Sequence, residues 1–157
     1  MKQNLLLTTA MVASMSFVQA QEIATWEDWA KSAITFTFDD GGWETNSHKW
    51  VADQLNKYGF KATFYVITGQ AGSSWDAYKG FAQKGHEIGS HSNRHLWVTK
   101  MTREEFAEDT RIAVSELENL TGKKVKSFRA PAFSIGKDND WAFEVLAENG
   151  IEYDCSV

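Results

Sequence analysis

The chain has 157 residues, 43% of them hydrophobic and 24% charged, with a formal net charge of -5 at pH 7. That length supports one domain around one core, and the acidic balance disfavours nucleic acid or an anionic membrane as a partner, since both select positive surface. The single cysteine, Cys155, has no partner for an internal disulfide, which excludes a disulfide-stapled module.

Residues 1–20 read as a signal peptide. Lys2 gives a positive start, Leu5 to Val18 is mostly apolar and small, and Val18-Gln19-Ala20 supplies small residues for cleavage before Gln21-Glu22. A buried N-terminal helix is the alternative. The stretch is too short and polar for a membrane span, and no second candidate follows. The expectation is export to the periplasm or the extracellular space, with no stable membrane insertion after cleavage.

From Ala33 onward, short apolar runs alternate with amphipathic segments. Ala33 to Phe38 (AITFTF) predicts a buried strand. Asn46 to Tyr58 predicts a helix with Trp50, Val51, Leu55 and Tyr58 on its inner side, ended by Gly59. Ala62 to Ile67 is a second strand, Trp75 to Lys84 a helix closed by Gly85, and His86 to Gly89 a third strand. Thr102 and Glu105 are spaced as a capping box. Phe106, Ala113, Val114, Leu117 and Leu120 then recur at helical spacing until Gly122. Lys126 to Phe128 is a fourth strand, Asp138 a candidate cap for a helix carrying Trp141, Val145 and Leu146, and Ile151 to Asp154 a fifth strand. Strand-then-helix order implies an α/β fold of parallel strands with right-handed crossovers.

The polar clusters follow strands: Asp39-Asp40, then His91 and His95, then Arg129. In parallel α/β folds those carboxyl ends share one face. A turn at Gly41-Gly42 could bring both aspartates to one pocket, although a helix cap or a salt-bridged loop would use the same pair. His91 and His95, at i and i+4, could lie one turn apart on a helix with their rings on one face, a spacing that exposed histidines also adopt. Two imidazoles and a carboxylate suit a divalent metal, and the second carboxylate would remain as a general base. Arg129 is either a surface arginine or a clamp holding a carboxylate through two parallel hydrogen bonds. Pro131 would stiffen the loop behind it. His86 is expected to pack or hydrogen-bond inside its strand, and His48 to be solvated. Trp43, Trp97 and Phe133 could line a sugar-stacking groove or belong to the core.

These motifs together resemble the polysaccharide deacetylase, or NodB-homology, family over residues 33–157. The resemblance rests on Thr37-Phe38-Asp39-Asp40-Gly41, on His91-Ser92-Asn93-Arg94-His95 within the run from Gly85, and on Tyr58 to Val66 (YGFKATFYV). It implies a parallel-stranded distorted (β/α) barrel. Asp39 would be the general base and Arg129 the residue that orients it. Asp40, His91 and His95 would ligate one divalent ion: Zn2+ first, with Co2+, Mn2+ or Ni2+ as alternatives. A backbone N–H near Ala132 would stabilise the oxyanion. The implied reaction is hydrolytic removal of acetyl groups from a glycan, of the N-acetylglucosamine type first. O-acetyl removal from xylan, or glycan binding without catalysis, are the alternatives.

Two departures stand out. Ala132 follows Pro131 where the family usually has an aromatic, a form closer to deacetylases of bacterial exopolysaccharide synthesis. The sequence also ends before the family's later Asp-containing and Leu-x-His motifs, whose histidine usually protonates the leaving amine. The chain is therefore expected to be an N-terminal portion of such a domain, with the barrel incomplete at its C-terminus.

Overall fold

The computed structural model describes residues 26, 30–40 and 46–156. The leader expected at residues 1–20, the Gly41-Gly42 turn and Trp43 lie outside them. The chain divides into two units, Met1–Ala33 and Ile34–Val157. In the first, the described residues 26 and 30–33 form no helix or strand and are exposed. The second carries the fold.

Five strands run β1 (Thr37–Phe38), β2 (Thr63–Val66), β3 (Glu87–Ser90), β4 (Ser127–Phe128) and β5 (Tyr153–Asp154). Each pairs in parallel with its predecessor, so the sheet order is β1-β2-β3-β4-β5. The connections carry α1 (Asn46–Lys57), α2 (Thr68–Ala71) with α3 (Trp75–Gln83), α4 (Arg103–Thr121) and α5 (Trp141–Glu148). The result is the expected α/β fold: an open, curled, parallel half-barrel. The ladder is shorter than the apolar runs. The run at 33–38, for instance, pairs as β1 only at its end, with Thr63 N also donating to the Phe36 carbonyl at 3.0 Å.

The alternation of strand side chains sorts the two faces. Phe64, Val66, Ile88 and Phe128 point into the helix-covered core with Phe81, Phe106, Leu117 and Val145. Phe38 stacks on its register partner Phe64, ring centroids 5.4 Å apart. On the opposite face Thr63 Oγ1 and Ser127 Oγ donate to the two oxygens of Glu87, at 2.9 and 2.7 Å. Full burial of each large core side chain contributes roughly 2–3 kcal/mol, and Phe64, Phe106 and Phe128 are all fully enclosed.

α4 starts where its sequence says it should. Thr102 accepts from Glu105 N and Glu105 reaches back to Thr102 N, and Gly122 ends the helix at φ 67. α1 is phased differently from the expectation. Its buried residues are His48 and Ala52, whereas Trp50 and Tyr58 are exposed. His48 is thus not solvated: it sits among Phe38, Phe64 and Tyr78, whose rings reward an aromatic at that position. Asp138 does not cap α5. It lies in a short 3-10 turn, Lys137–Asn139, and neighbouring Asn139 fastens the segment, accepting from Gly136 N at 2.7 Å and donating to the Ser134 carbonyl at 2.9 Å. α2 and the turn after it, Gly72–Ser74, were not expected, because Gly69 and Gly72 obscure any helical pattern. Among the described residues no helix is long and apolar enough to cross a membrane.

Thr102→Ala removes the side-chain acceptor for Glu105 N while keeping the Thr102 backbone N–H that donates to Glu105, and is expected to lower the unfolding free energy by about 1 kcal/mol. Urea titration followed by circular dichroism measures this, and an unchanged midpoint would mean that tertiary packing alone sets the start of α4.

Candidate metal centre

The carboxyl ends of β1, β3 and β4 deliver the site. Asp39 and Asp40 follow β1, His91 to His95 follow β3, and Arg129 follows β4. Asp40 Oδ1 lies 3.5 Å from His91 Nε2 and 3.2 Å from His95 Nε2. All three ligand atoms fall within 4.8 Å of one another. His91 is buried, His95 half-buried, and the Asp40 carboxylate opens to solvent.

The two histidines do not share a helix. Residues 91–97 form a loop in which Ser92 and His95 take left-handed φ values of 70° and 58°. The i, i+4 spacing brings the rings together, centroids 5.1 Å apart, by loop geometry. Ser92 Oγ accepts from His95 N at 3.0 Å and closes the loop internally. On one side Thr68 N and Gly69 N donate to the carbonyls of Ser92 and Asn93, at 3.2 and 3.0 Å. A Cβ on Gly69 would stand 2.7 Å from the Asn93 carbonyl oxygen, so no side chain fits there. On the other side Asp109 of α4, fully buried, accepts from Asn93 N (2.8 Å), Arg94 N (3.2 Å) and Arg94 Nε (2.8 Å).

Arg129 serves the site twice. Its carbonyl lies 2.7 Å from His91 Nδ1. A carbonyl can only accept, so Nδ1 carries the proton and Nε2 presents its lone pair toward Asp40. Its guanidinium donates from Nη1 to Asp39 Oδ1 at 2.8 Å and to Thr37 Oγ1 at 3.0 Å, and from Nε to the Cys155 carbonyl at 3.2 Å. The expected pair of parallel bonds to one carboxylate is therefore a single bond, because Nε is committed to the chain after β5 and Nη1 is shared with Thr37. The Tyr65 ring covers the guanidinium at 4.6 Å.

Burial lowers the pKa of His91 from its ordinary value, opposed by the Arg129 carbonyl and by the charges of Asp39 and Asp40. With His91 neutral, Nε2 and the Asp40 oxygen are two acceptors facing each other, a contact that a cation between them relieves. Tetrahedral ligation at about 2.0–2.2 Å per bond requires donor atoms roughly 3.3–3.5 Å apart, close to the spacings around Asp40. The donor set therefore fits a divalent ion.

Behind Asp39-Asp40, Asp40 holds φ at 66°. Tyr78 Oη lies 3.3 Å from both the Asp40 carbonyl and His48 Nδ1. Of the candidate groove aromatics, Trp97 and Phe133 are exposed. Lys100 Nζ lies 4.4 Å from the Trp97 ring, and the Arg129 guanidinium 5.6 Å from Phe133.

Residues 27–153 match the family model described as polysaccharide deacetylase. The chain belongs to this family. Among similar polysaccharide deacetylases and their kin, a bifunctional xylanase/deacetylase of Pseudobutyrivibrio xylanivorans is 35% identical over 103 residues, 65% of this chain and 17% of that protein. A peptidoglycan-N-acetylglucosamine deacetylase of Bacillus cereus is 31% identical over 129 residues, 82% of this chain and 58% of that protein. The chain thus spans less than two thirds of either. Of solved structures, the polysaccharide deacetylase Bc1974 of Bacillus cereus superimposes with a TM-score of 0.64 at 26% identity, over 76% of this chain and 58% of that one. A CE4 family pseudoenzyme of Bacillus anthracis gives 0.69 at 18% identity, over 77% of this chain and 42% of that one, a likeness of fold alone.

Sequence reasoning did not single out Asp109 or Tyr78, and it placed His48 in solvent where the structure buries it. Asp109 had a signal: it lies three residues after Phe106 and four before Ala113, a carboxylate on the apolar stripe of α4.

Burial lowers the pKa of His48, so the unfolded chain binds more protons than the folded one as pH falls below the ordinary histidine value. Stability is therefore expected to be full above about pH 7 and to decline on acidification. His48→Gln should reduce that decline. Urea midpoints of the two proteins at pH 8 and pH 5.5 check this, and equal declines would place the titration elsewhere.

Proposed function

We propose that this protein hydrolyses acetyl groups from a carbohydrate, with an N-acetylglucosamine-type glycan as the first substrate class. The observation that carries the reading is the convergence of Asp40, His91 and His95 while Asp39, held by Arg129, remains outside the ligand set.

Asp40 Oδ1, His91 Nε2 and His95 Nε2 would hold a divalent ion, Zn2+ by its donor preference with Co2+, Mn2+ or Ni2+ as alternatives. Such an ion would supply Lewis-acid polarisation of the acetyl carbonyl and acidify the attacking water. Asp39 would take the proton from that water. Arg129 occupies its Oδ1, which fixes the carboxylate and leaves Oδ2 to receive the proton. The backbone N–H of Ala132, in a left-handed turn at φ 52, is a candidate donor to the oxyanion. The 2.7 Å bond from His91 to the Arg129 carbonyl keeps the ring in the tautomer that ligates. Exposed Trp97 and Phe133 would offer flat apolar faces to sugar rings. The leader expected at residues 1–20 would place this activity in the periplasm or outside the cell.

A second reading, removal of O-acetyl groups from xylan, is favoured by the similarity to the bifunctional xylanase/deacetylase. It needs the same attack on a carbonyl. Acetate release from acetylated chitooligosaccharides and from acetylated xylan separates the two, and no release from either would leave glycan binding without catalysis.

Asp39→Asn is expected to retain the metal and lower acetate release at least 100-fold, in line with the loss of a general base. His91→Ala or His95→Ala should abolish stoichiometric Zn2+ uptake in calorimetry. Undiminished turnover by Asp39→Asn would remove the base assignment, and undiminished uptake by the histidine variants would remove the ligand assignment.

A further inference from the structure

The loop between the two candidate histidine ligands depends on partners outside itself. It holds two non-glycine residues in the left-handed region, Ser92 and His95, a conformation that costs energy unless the surroundings enforce it. The carbonyls at Ser92 and Asn93 are answered by the start of α2. The amides of Asn93 and Arg94 are answered by one group only, the Asp109 carboxylate, with one oxygen on each. The Arg94 side chain then returns to the same carboxylate through Nε, which neutralises a charge that is otherwise enclosed in α4.

The geometry points to Asp109 as the positioning residue of the metal centre, the group that sets the backbone between His91 and His95 so that both Nε2 atoms face Asp40. This rests on the metal-centre reading above. Asp109 bonds to the loop amides and to Arg94, neither of which belongs to the ligand set, and it acts through the loop. The carboxylate arrives from a long, capped helix, so the loop is referenced to the rigid scaffold. Its planar fork suits two successive N–H groups, and a side chain without two acceptors leaves at least one of them unmet.

The test uses the full chain with Asp109→Ala and Asp109→Asn beside the parent. Zn2+ affinity is measured by calorimetry, ligand geometry by the visible absorption of the Co2+-loaded protein, and loop order by hydrogen exchange at the Asn93 and Arg94 amides in metal-free protein. Expected for Asp109→Ala are a Kd for Zn2+ raised about 10- to 100-fold, as for other groups that orient ligands, altered Co2+ bands, and faster exchange at both amides with the far-UV spectrum unchanged. Asp109→Asn keeps one acceptor and should fall between Ala and the parent. Parent-like affinity and Co2+ bands in a folded variant would overturn the role while leaving the metal-centre reading intact. A parent that takes up no metal would instead bring down that reading and this role with it. Should Asp109→Ala fail to fold, Asp109→Asn decides by the same three readouts, with parent-like values counting against the role.

Discussion

The ion pair between Arg129 and Asp39 joins residues that follow β4 and β1, strands separated by β2 and β3. Three strand spacings in a flat sheet amount to about 14 Å. Extended arginine and aspartate side chains barely reach across that interval, so the 2.8 Å contact accords with a curled sheet and ties the two sides of the curl at the edge where the site lies. The same arginine, through its carbonyl, sets the His91 tautomer. One residue thereby couples the sheet's curvature, the placement of the free carboxylate and the chemistry of a ligand. Substituting its side chain would remove the guanidinium that holds Asp39 and links the two strands, while the backbone carbonyl facing His91 remains, so the two contributions can be separated.

The left-handed residues tell a complementary story. The non-glycine residues with positive φ among those described are Asp40, Ser92, His95, Ala132 and Phe133. All lie in the loops after β1, β3 and β4. Each such position costs on the order of 1–3 kcal/mol, and the strain is concentrated where side chains must converge. The scaffold meets it with anchors from outside the loops: Tyr78 and His48 behind Asp39-Asp40, and Thr68, Gly69 and Asp109 around residues 91–95. Rigid helices hold these anchors, while the loops they hold have little regular structure of their own.

This division explains what the sequence could disclose. The capping box at Thr102 and Glu105 and the stop at Gly122 are local, and they stand where the pattern places them. The convergence of Asp39, Asp40, His91, His95 and Arg129 was legible because polar side chains at the ends of apolar runs share an edge in any parallel sheet. The helix expected for His91 and His95 was not found, because i, i+4 spacing is met equally by a helical turn and by a loop with two left-handed residues, and residue types alone do not report φ. The phase of α1 was misread because Trp50 and Tyr58 outweigh His48 on any apolarity scale, yet a pocket of Phe38, Phe64 and Tyr78 accommodates an imidazole. The single bond from Arg129 depends on Thr37 and Cys155 competing for the guanidinium, a matter of tertiary geometry.

Strand order in the sheet equals strand order in the chain. During synthesis from the amino terminus, each new strand therefore meets an edge already formed by its predecessor, and the pairing never waits for a distant segment. The contacts that break this locality belong to the site. A nascent chain extended only through α4 already contains Asp40, His91 and His95 with three of the five strands. It lacks the carbonyl that orients His91 and the guanidinium that holds Asp39, and the Cys155 carbonyl that steadies that guanidinium comes 26 residues later still. The Asp40, His91 and His95 set is complete in the growing polypeptide before the residue that orients it, so under the proposed function taking up an ion and aligning Asp39 would be separable stages of maturation.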